Sequence, residues 1–366
     1  MAGIVDRTGK VVAVPDLDDG PGHDRPAFDV LVLAELNVDV IMRSDRSPQF
    51  GQVELRVPSG AITLGSSGAI TAAALASLGL RVALCGVLGD DPVGDMVLQM
   101  LDDLGVDRSA ITRRPARGSG ITVVLSRSDG DRALMTFPGT MSDFTVADVP
   151  ESLLRSSRHV HISSIYLQSG LVPGLPALLS KLDPAVTVSL DPGWDPGSTW
   201  TTVEPVLPHL TWFLPNANEC VSVAGGGDDP ESAARKIATL GPTVVVKLGA
   251  GGALMAPSDG GPTVRVQSRA REPVDTTGAG DNFNAGFIAS VLGMVLPGGS
   301  PEALALGCAC GAISTAGIGG TGRLATPSEA AELARSLLGS GAGPTTEHDT
   351  TGGAPQDVAR PDLEHR

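Results

Sequence analysis

Aromatic side chains are scarce in this chain. Phe, Trp and Tyr make up 3% of its 366 residues, although the hydrophobic residues as a whole reach 42%. The chain therefore has ample material for a core, but it must build that core from Val, Leu, Ile and Ala. The 47 glycines and 28 prolines fit many tight turns between short elements.

Cysteine is also sparse, and the chain contains only Cys85, Cys220, Cys308 and Cys310. Cys308 and Cys310 lie in an apolar helical pattern, without the second Cys or His pair that a zinc site needs. We interpret all four as buried thiols. So few cysteines suit a reducing compartment, and we expect a cytoplasmic protein.

Positive charge is in deficit, because 26 Lys and Arg residues face 41 Asp and Glu residues, for a net charge of −15. This balance, without any basic run, argues against nucleic acid or an anionic membrane as a partner. No apolar stretch approaches the ~18 residues of a membrane span. Residues 1–20 carry several charges and lack a continuous apolar core, which argues against a signal peptide.

Apolar β-branched runs alternate with helical patterns between residues 28 and 339. This alternation predicts a mainly parallel sheet with helices on both faces, and hence a three-layer α/β sandwich. We expect residues 1–27 to form an irregular extension, because Pro and Gly interrupt them. The polar residues 340–366 are rich in Gly and Pro, and we expect a disordered tail there.

Three segments break this alternation. Residues 52–57 alternate polar and apolar side chains, and residues 121–126 and 132–137 flank the turn signal Ser128-Asp129-Gly130-Asp131. Strands with a period of two, inserted in an α/β domain, predict a small antiparallel sheet that projects from it. We expect the strands of this sheet within about residues 40–64 and 119–138.

The most informative motif is Asp-Thr-Thr-Gly-Ala-Gly-Asp at residues 275–281, which precedes a helical pattern. We expect the backbone N–H groups of Gly278, Ala279 and Gly280 to point out of the helix N-terminus. Such a terminus carries roughly +0.5 charge and unpaired donors, and it therefore suits a phosphoryl oxyanion. Asp281 follows this anion hole, where a general base for a substrate hydroxyl is needed. The motif predicts phosphoryl transfer to an alcohol, and a plain capping turn is the alternative.

The motif resembles the C-terminal signature of the ribokinase-like (PfkB) carbohydrate kinases, and further similarities extend over residues 29–338. The resemblance implies a ribokinase-like fold, ATP and Mg²⁺ as cofactors, and ATP-dependent phosphorylation of a small sugar with Asp281 as the base. It also implies that the small sheet is a lid over the substrate and a candidate surface for a homodimer.

Asn37 and Asp39 follow the first strand of the domain, and ligands of open α/β sheets bind at such strand ends. Their amide and carboxylate groups suit sugar hydroxyls, although an ordinary turn at a strand end uses the same residue types. The segment resembles the first-strand motif of the family, whose Asp binds the substrate.

Gly65, Ser66 and Ser67 resemble the N-terminal signature of the family, in which a Gly-Gly pair acts as a lid hinge beside the substrate. Two positions depart from that signature. Ser66 stands where the second Gly is usual, and Ile70 stands where an Asn often touches the sugar. Because an Ile side chain cannot bond to a hydroxyl group, the identity of the sugar stays open.

Asn216 and Glu219 match the Asn-x-x-Glu motif of the family, which is linked to Mg²⁺–ATP through bound water. One carboxylate plus several waters is a coordination that Mg²⁺ accepts readily. The same spacing is typical of a capping box at the start of a helix, and both interpretations can hold together.

Lys247, Gly249 and Gly252 belong to a glycine-rich stretch that passes close to the nucleotide phosphates in the family. The stretch is not a P-loop, because the Gly-x-x-x-x-Gly-Lys-Ser/Thr order is absent. A hairpin turn is the alternative, with the Lys247 side chain pointing to solvent.

The remaining similarities concern the cleft, the adenine and a cation. Asp191 resembles an acid that lines the active cleft of the family, and residues 315–321, with Gly317, resemble the loop that closes on the adenine. By the same resemblance, Asp275 and Thr277 are candidate ligands of a monovalent cation such as K⁺.

Two other functions stay open. A nucleoside kinase of the same family would need aromatic residues to stack on the base, and Phe137, Tyr166 and Trp194 are the candidates. A non-catalytic sugar-binding regulator would explain the Ile at position 70, but the intact Asp281 argues against it. We expect a phosphorylated sugar less, because the lid segments hold few cations.

Overall fold

A computed structural model describes residues 3–5, 11–13, 26–129, 131–269 and 272–339. The strands, numbered in chain order, are β1 (Gly3–Val5), β2 (Val11–Ala13), β3 (Phe28–Leu33), β4 (Asn37–Arg43), β5 (Ser59–Leu64), β6 (Val82–Gly89), β7 (Asp107–Arg114), β8 (Gly120–Ser126), β9 (Arg132–Phe137), β10 (Ser157–Ser163), β11 (Thr187–Asp191), β12 (Trp212–Phe213), β13 (Thr243–Lys247), β14 (Ala253–Ala256) and β15 (Val264–Val266). The α-helices are α1 (Ser67–Ser77), α2 (Pro92–Asp103), α3 (Glu151–Arg155), α4 (Leu175–Leu179), α5 (Ala217–Val223), α6 (Pro230–Ala238), α7 (Ala279–Val291), α8 (Ser300–Ser314) and α9 (Pro327–Gly339).

A nine-stranded sheet forms the centre of the protein, in the order β15-β14-β13-β12-β11-β10-β3-β6-β7. Neighbouring strands from β13 to β7 run parallel, while β14 and β15 are antiparallel additions at one edge. Central strands such as β3 and β6 are buried almost throughout, which explains their apolar, β-branched sequences. The mainly parallel sheet predicted from the sequence is confirmed.

Helices cover both faces of this sheet, and alternate residues of β3 show it. Val30 and Val32 pack into a core with α1, α2, α7, α8 and α9. Leu31 and Leu33 pack into a second core with α3, α4, α5 and α6 on the opposite face. This arrangement confirms the three-layer α/β sandwich.

A separate four-stranded sheet, in the order β5-β4-β8-β9, forms what we call the lid. Two of its pairings are antiparallel, as expected, but the central pairing of β4 with β8 is parallel. The lid begins at Asn37, earlier than the expected residue 40, because β4 follows β3 after a short connection. In the chain, β4 and β5 precede the segment from α1 to β7, and β8 and β9 follow it.

The alternation of residues 52–57 does not form a strand, and that prediction is wrong. The strand that pairs with β4 is Ser59–Leu64 instead. Pro58 precedes it directly, and a proline has no N–H group to donate to a neighbouring strand. The strand therefore starts after this proline.

The N-terminal segment is less irregular than expected. Gly3–Val5 and Val11–Ala13 form an antiparallel pair. The tail predicted to be disordered, residues 340–366, lies outside the described residues.

The topology places the carboxyl ends of β3, β11 and β13 at one edge of the central sheet, where polar side chains gather. The lid extends from this edge, because β4 continues directly from β3. Ligands of open α/β sheets bind at the carboxyl ends of the strands, so a functional site is expected here. Among the described helices, none is long and apolar enough to cross a membrane.

Candidate active site

A cleft of about 590 Å³ opens at this edge of the sheet, between the lid and the N-terminus of α7. It brings together many of the side chains that the sequence singled out: Ser67, Asp191, Asn216, Glu219, Lys247 and Asp281. These residues are far apart in the sequence, and their convergence comes from the parallel order of the strands.

The N-terminus of α7 forms part of the cleft wall. The helix begins at Ala279, and Gly278 precedes it with a φ of 73°, in the left-handed region that favours glycine. A Cβ atom on Gly278 would collide with the backbone of Gly320. Among the described residues, the N–H groups of Gly278 and Gly280 have no acceptor, whereas Ala279 donates to the Thr276 carbonyl at 3.3 Å. Two of the three predicted donors are therefore free for an anion, and that of Ala279 is partly engaged.

Asp281 lies in the first turn of α7 and faces the same cleft. Its Oδ1 atom accepts a hydrogen bond from the Ser67 hydroxyl. Burial, together with the nearby negative charge of Asp191, raises the pKa of Asp281 to about 7. A carboxylate that titrates near neutrality beside free N–H donors can accept a proton from a bound hydroxyl group.

Glu35 supports this arrangement from behind, although the sequence did not single it out. Its Oε1 atom accepts a hydrogen bond from the Ser67 N–H at 3.1 Å, and its Oε2 atom accepts one from the Ser163 hydroxyl at 3.2 Å. Burial raises the pKa of Glu35 to about 7. Ser67 thus links Glu35 to Asp281 through hydrogen bonds. The sequence feature that could have pointed to Glu35 is a single acidic residue between the apolar Ala34 and Leu36.

Asn37 and Asp39 do come together, on the inner face of the lid. The Asn37 amide donates to Asp39 Oδ1 at 2.9 Å and to Thr122 Oγ1 at 3.1 Å. Both residues are buried, and burial raises the pKa of Asp39 to about 6. Gly65 adjoins them, and a Cβ atom there would collide with both side chains. Close packing therefore requires this glycine.

Ser66 has a backbone conformation that favours glycine, with a φ of 66°. Its hydroxyl donates to the Glu35 carbonyl and accepts a bond from the Ala69 N–H at 3.1 Å, which caps α1. Hydrogen bonding on both sides holds this serine in a conformation that non-glycine residues rarely adopt. The predicted hinge is therefore tied in place on the strand side and on the helix side.

Ile70 is 3% exposed and points away from solvent. Its side chain lies against Gly320 and 3.2 Å from the position of a Cβ atom on Gly278. Ile70 thus packs behind the glycine turn that precedes α7. The change from Asn removes a polar group at this position and adds an apolar support for the turn.

Arg132, at the start of β9, reaches into the cleft from the lid. Its Nη1 atom donates to the Thr277 hydroxyl at 3.2 Å. Burial raises the pKa values of Asp39 and Asp281, and the charge of Arg132 opposes this rise in part; the same charge contributes to the lowered pKa of Asp275. Sequence analysis missed this residue, because only the fold reveals that the start of β9 meets residue 277.

Lys247 is 11% exposed and forms an ion pair with Asp191, so a solvent-facing lysine is ruled out. Asn284 completes the group, donating to Asp191 Oδ2 at 2.6 Å. Burial opposes the charge of Lys247, but Asp191 and then Glu219 outweigh it and raise the pKa of the lysine. The ammonium group of Lys247 lies next to Gly280, since a Cβ atom on this glycine would be 3.6 Å from Nζ.

Asn216 and Glu219 form the capping box of α5. The Asn216 side chain accepts from the Glu219 N–H at 2.9 Å, and the Glu219 carboxylate accepts from the Asn216 N–H at 2.8 Å. Both residues also line the cleft. Burial and the charge of Asp191 raise the pKa of Glu219 to about 7. No cluster of three or more His, Cys, Asp or Glu side chains arranged for a metal occurs in the described part of the chain.

Of the three glycines predicted to contact ATP, two line the cleft and one does not. Gly249 and Gly252 have φ values of 57° and 89° and line the cleft as expected. Gly317 does not line it: a Cβ atom there would collide with Gly322, so the glycine is needed for packing within its own turn. Thr315 lines the cleft instead.

Asp275 is fully engaged by protein donors. Its Oδ1 atom accepts from the Thr277 N–H at 2.9 Å and from the Thr277 hydroxyl at 2.8 Å, and its Oδ2 atom accepts from the Gly319 N–H at 2.8 Å. Burial by itself would raise the pKa of Asp275, but these hydrogen bonds outweigh it, and the pKa is lowered. The Thr277 hydroxyl also accepts a bond from Arg132, and a monovalent cation at Asp275 and Thr277 stays a prediction.

Comparison with known proteins places this geometry in context. The model of the pfkB family carbohydrate kinases matches residues 27–326. An ATP-dependent ribose-1-phosphate kinase of Halopiger xanaduensis is 30% identical over 298 residues, which cover 78% of this chain and 91% of that protein.

Two solved structures share the fold. The ribokinase of Thermotoga maritima superposes with a TM-score of 0.71 at 21% identity, over 84% of this chain and 99% of the other. The ribokinase of Arabidopsis thaliana, in complex with ribose and ATP, gives a TM-score of 0.69 at 23% identity, also over 84% of this chain and 99% of the other.

Proposed function

Because the chain belongs to the pfkB family of carbohydrate kinases, we propose that it transfers the γ-phosphoryl group of ATP to a hydroxyl group of a small sugar. Asp281 is the base: it takes the hydroxyl proton while the sugar oxygen bonds to phosphorus and ADP leaves. The single observation that carries the proposal is the position of Asp281, in the cleft beside the free N–H groups of Gly278 and Gly280.

The anion hole serves the phosphoryl oxygens. Backbone donors fixed at a helix N-terminus stabilise charge that develops on those oxygens without having to reorganise. Lys247 lies behind Gly280 and adds a positive charge that the Asp191 carboxylate keeps in place. Arg132 approaches from the lid, so lid closure would complete the positive surroundings of the transferred group.

Asn216, Glu219, Gly249 and Gly252 extend the cleft beyond Lys247 and would hold the rest of the nucleotide. When Mg²⁺ is bound with ATP, it neutralises phosphate charge. Glu219 would contact Mg²⁺ through bound water molecules, because this ion retains most of its waters in protein sites. A ribokinase-fold protein of Escherichia coli has been solved in complex with ATP and Mg²⁺.

In this proposal Asn37 and Asp39 bind the sugar hydroxyls. The adjoining wall of the site consists of Gly65, Ser66 and Ser67. The carboxylate of Asp39 accepts hydroxyl protons, and the network around Asn37 fixes its orientation. A nucleoside is less suited to this site. Tyr166 and Trp194 each make an edge-to-face contact with Trp200, and Phe137 is 57% exposed on the outer face of the lid.

A phosphorylated sugar is a second candidate acceptor, which Arg132 favours. Among the described residues its guanidinium group donates one hydrogen bond, to the Thr277 hydroxyl, and arginine binds phosphate oxygens well. One relative with 30% identity is a ribose-1-phosphate kinase. The lid therefore provides a cation that the sequence had not led us to expect.

The lid also offers a surface to a second copy of the chain. Ile62, Met135 and Phe137 lie on its outer face, opposite Asp39, and are 53%, 60% and 57% exposed. An apolar sheet face of this kind is costly to leave in water. We propose a homodimer in which two lids pack through these outer faces.

The decisive experiment measures ADP release from Mg²⁺–ATP over a panel of free sugars, sugar phosphates and nucleosides. A signal that depends on one class and disappears in Asp281→Asn supports the kinase and names its acceptor. The exposed Asp259→Asn serves as the matched control. Arg132→Gln separates the two candidates by KM, because it should raise the KM for a phosphorylated acceptor far more than the KM for a free sugar, whatever its effect on kcat. Sugar binding without any ADP release would support the non-catalytic alternative.

A further inference from the structure

A second cavity, of about 530 Å³, lies at the far end of the lid from Asn37. Three arginines and several serines line it: Arg43, Arg46, Arg56, Ser59, Ser126 and Ser128. The register explains part of this grouping, since Arg43 pairs with Ser59 on β5 and with Ser126 on β8. The cavity is therefore built on the sheet of the lid as well as on its loops.

The charge in this cavity is not balanced by the protein. Asp45 is the acidic residue among the described lining residues, and its Oδ1 atom accepts bonds from the N–H and hydroxyl of Ser128, both at 2.8 Å. In the described part of the chain, neither Arg46 nor Arg56 forms an ion pair. Such a concentration of free guanidinium groups is unexpected in a protein with a net charge of −15.

We propose that this cavity binds a small phosphate-class dianion, either inorganic phosphate or a phosphate ester, at a site separate from the active cleft. Guanidinium groups bind two phosphate oxygens at once, and serine hydroxyls can donate to the others. The volume is ample for a phosphate group with a small organic substituent.

Arg43 connects this site to the active cleft. Its Nη2 atom donates to the Val274 carbonyl at 3.0 Å, directly before Asp275. A guanidinium group has five N–H donors, so Arg43 can bind an anion and keep this bond. A bound anion would therefore brace the end of the lid against the segment that leads into α7. We expect it to favour the closed lid and to lower the KM for the acceptor.

Isothermal titration calorimetry with inorganic phosphate tests the site. The full chain is first saturated with Mg²⁺ and a non-hydrolysable ATP analogue, which fills the anion hole, and glucose 6-phosphate then replaces phosphate in a second arm. We expect binding with a Kd at or below about 1 mM, and at least a tenfold loss in the double variant Arg46→Gln/Arg56→Gln. Tighter binding in the second arm that the double variant also loses would identify an ester as the ligand of this cavity.

Arg127→Gln is the matched control, because Arg127 lies in the lid, is paired with Asp129 and does not line the cavity. The proposal is overturned if the native chain binds no phosphate, or if the control loses as much affinity as the double variant. Turnover assays with phosphate present should show a lower KM for the native chain alone. Because calorimetry needs no turnover, its result stands whether or not the chain proves to be an active kinase.

Discussion

Asp281 shows how burial prepares a single side chain for proton transfer. Its raised pKa of about 7 means that the carboxyl group is protonated, and cannot act as a base, at lower pH. We therefore expect kcat/KM to rise with pH up to about 7 and then to level off, with a tenfold fall per pH unit on the acid side.

Replacing this group removes the base without removing its volume. Asp281→Asn should lower kcat by about 10³-fold or more while the melting temperature stays close to that of the native chain. Turnover measured across the pH range checks both expectations. An acid limb that persists in an active Asp281→Asn variant would assign the titration to another group, such as Glu219.

Glu35 leads to a prediction about stability. Its pKa is about 7 in the folded protein, against a usual value of 4.5, so folding favours the protonated form. Stability is then lost as the pH rises from about 4.5 to about 7, because the unfolded chain releases the proton first. Glu35→Gln does not titrate, and its stability relative to the native chain should improve over this window by about 2–3 kcal/mol.

Urea denaturation at pH 5 and pH 8 measures this difference. The exposed Glu204→Gln is the matched control and should show no such change between the two pH values. Equal effects of Glu35→Gln at both values would mean that Glu35 is ionised throughout in the folded state.

Whole elements followed from the sequence more readily than single contacts did. The alternation of strands and helices, the lid hairpin at residues 121–137 and the turn before α7 all depend on local patterns, and these were predictable. Arg132 and Glu35 act through Thr277 and Ser67, and each pair is joined only by the tertiary fold. Gly317 and Ile70 show the limit of such patterns, because neither the close approach of Gly317 to Gly322 nor the packing of Ile70 on Gly320 can be deduced from a motif.

The start of α1 combines an unusual backbone conformation with a helix cap. Ser66 has a left-handed φ, which costs of order 1–3 kcal/mol, but its hydroxyl caps the helix and contacts the Glu35 carbonyl. Ser66→Gly should remove the strain and lose the cap, leaving global stability within about 1 kcal/mol. Ser66→Ala keeps the strain and loses the cap, so it should be clearly less stable.

Hydrogen exchange reports the consequence for the lid. Amides of β4 and β5 should exchange faster in Ser66→Gly, because glycine lets the hinge move. If exchange in β4 and β5 matched that of the native chain, Ser66 would not limit lid motion.

Across the whole molecule, the outer face of the lid predicts an oligomer. Met135→Glu combined with Phe137→Glu should convert the proposed dimer to a monomer, because packed lids would bury four unpaired carboxylates. Analytical ultracentrifugation measures the state directly. Leu134→Glu is the matched control, since Leu134 is similarly exposed, at 59%, but lies on the inner face of the same strand. A native chain that sediments as a monomer would contradict the proposed interface.

The parallel pairing of β4 with β8 has a consequence for how the chain folds. These strands start at Asn37 and Gly120, and the segment between them contributes β6 and β7 to the central sheet. Pairings of such long sequence separation form slowly, because chain closure has to precede them. On the ribosome, the lid can therefore assemble only after β8 has emerged, well after its first strand was synthesised. Partial unfolding should reverse this order, so that a chain with an intact central sheet has already lost the lid pairings that position Asn37 and Asp39.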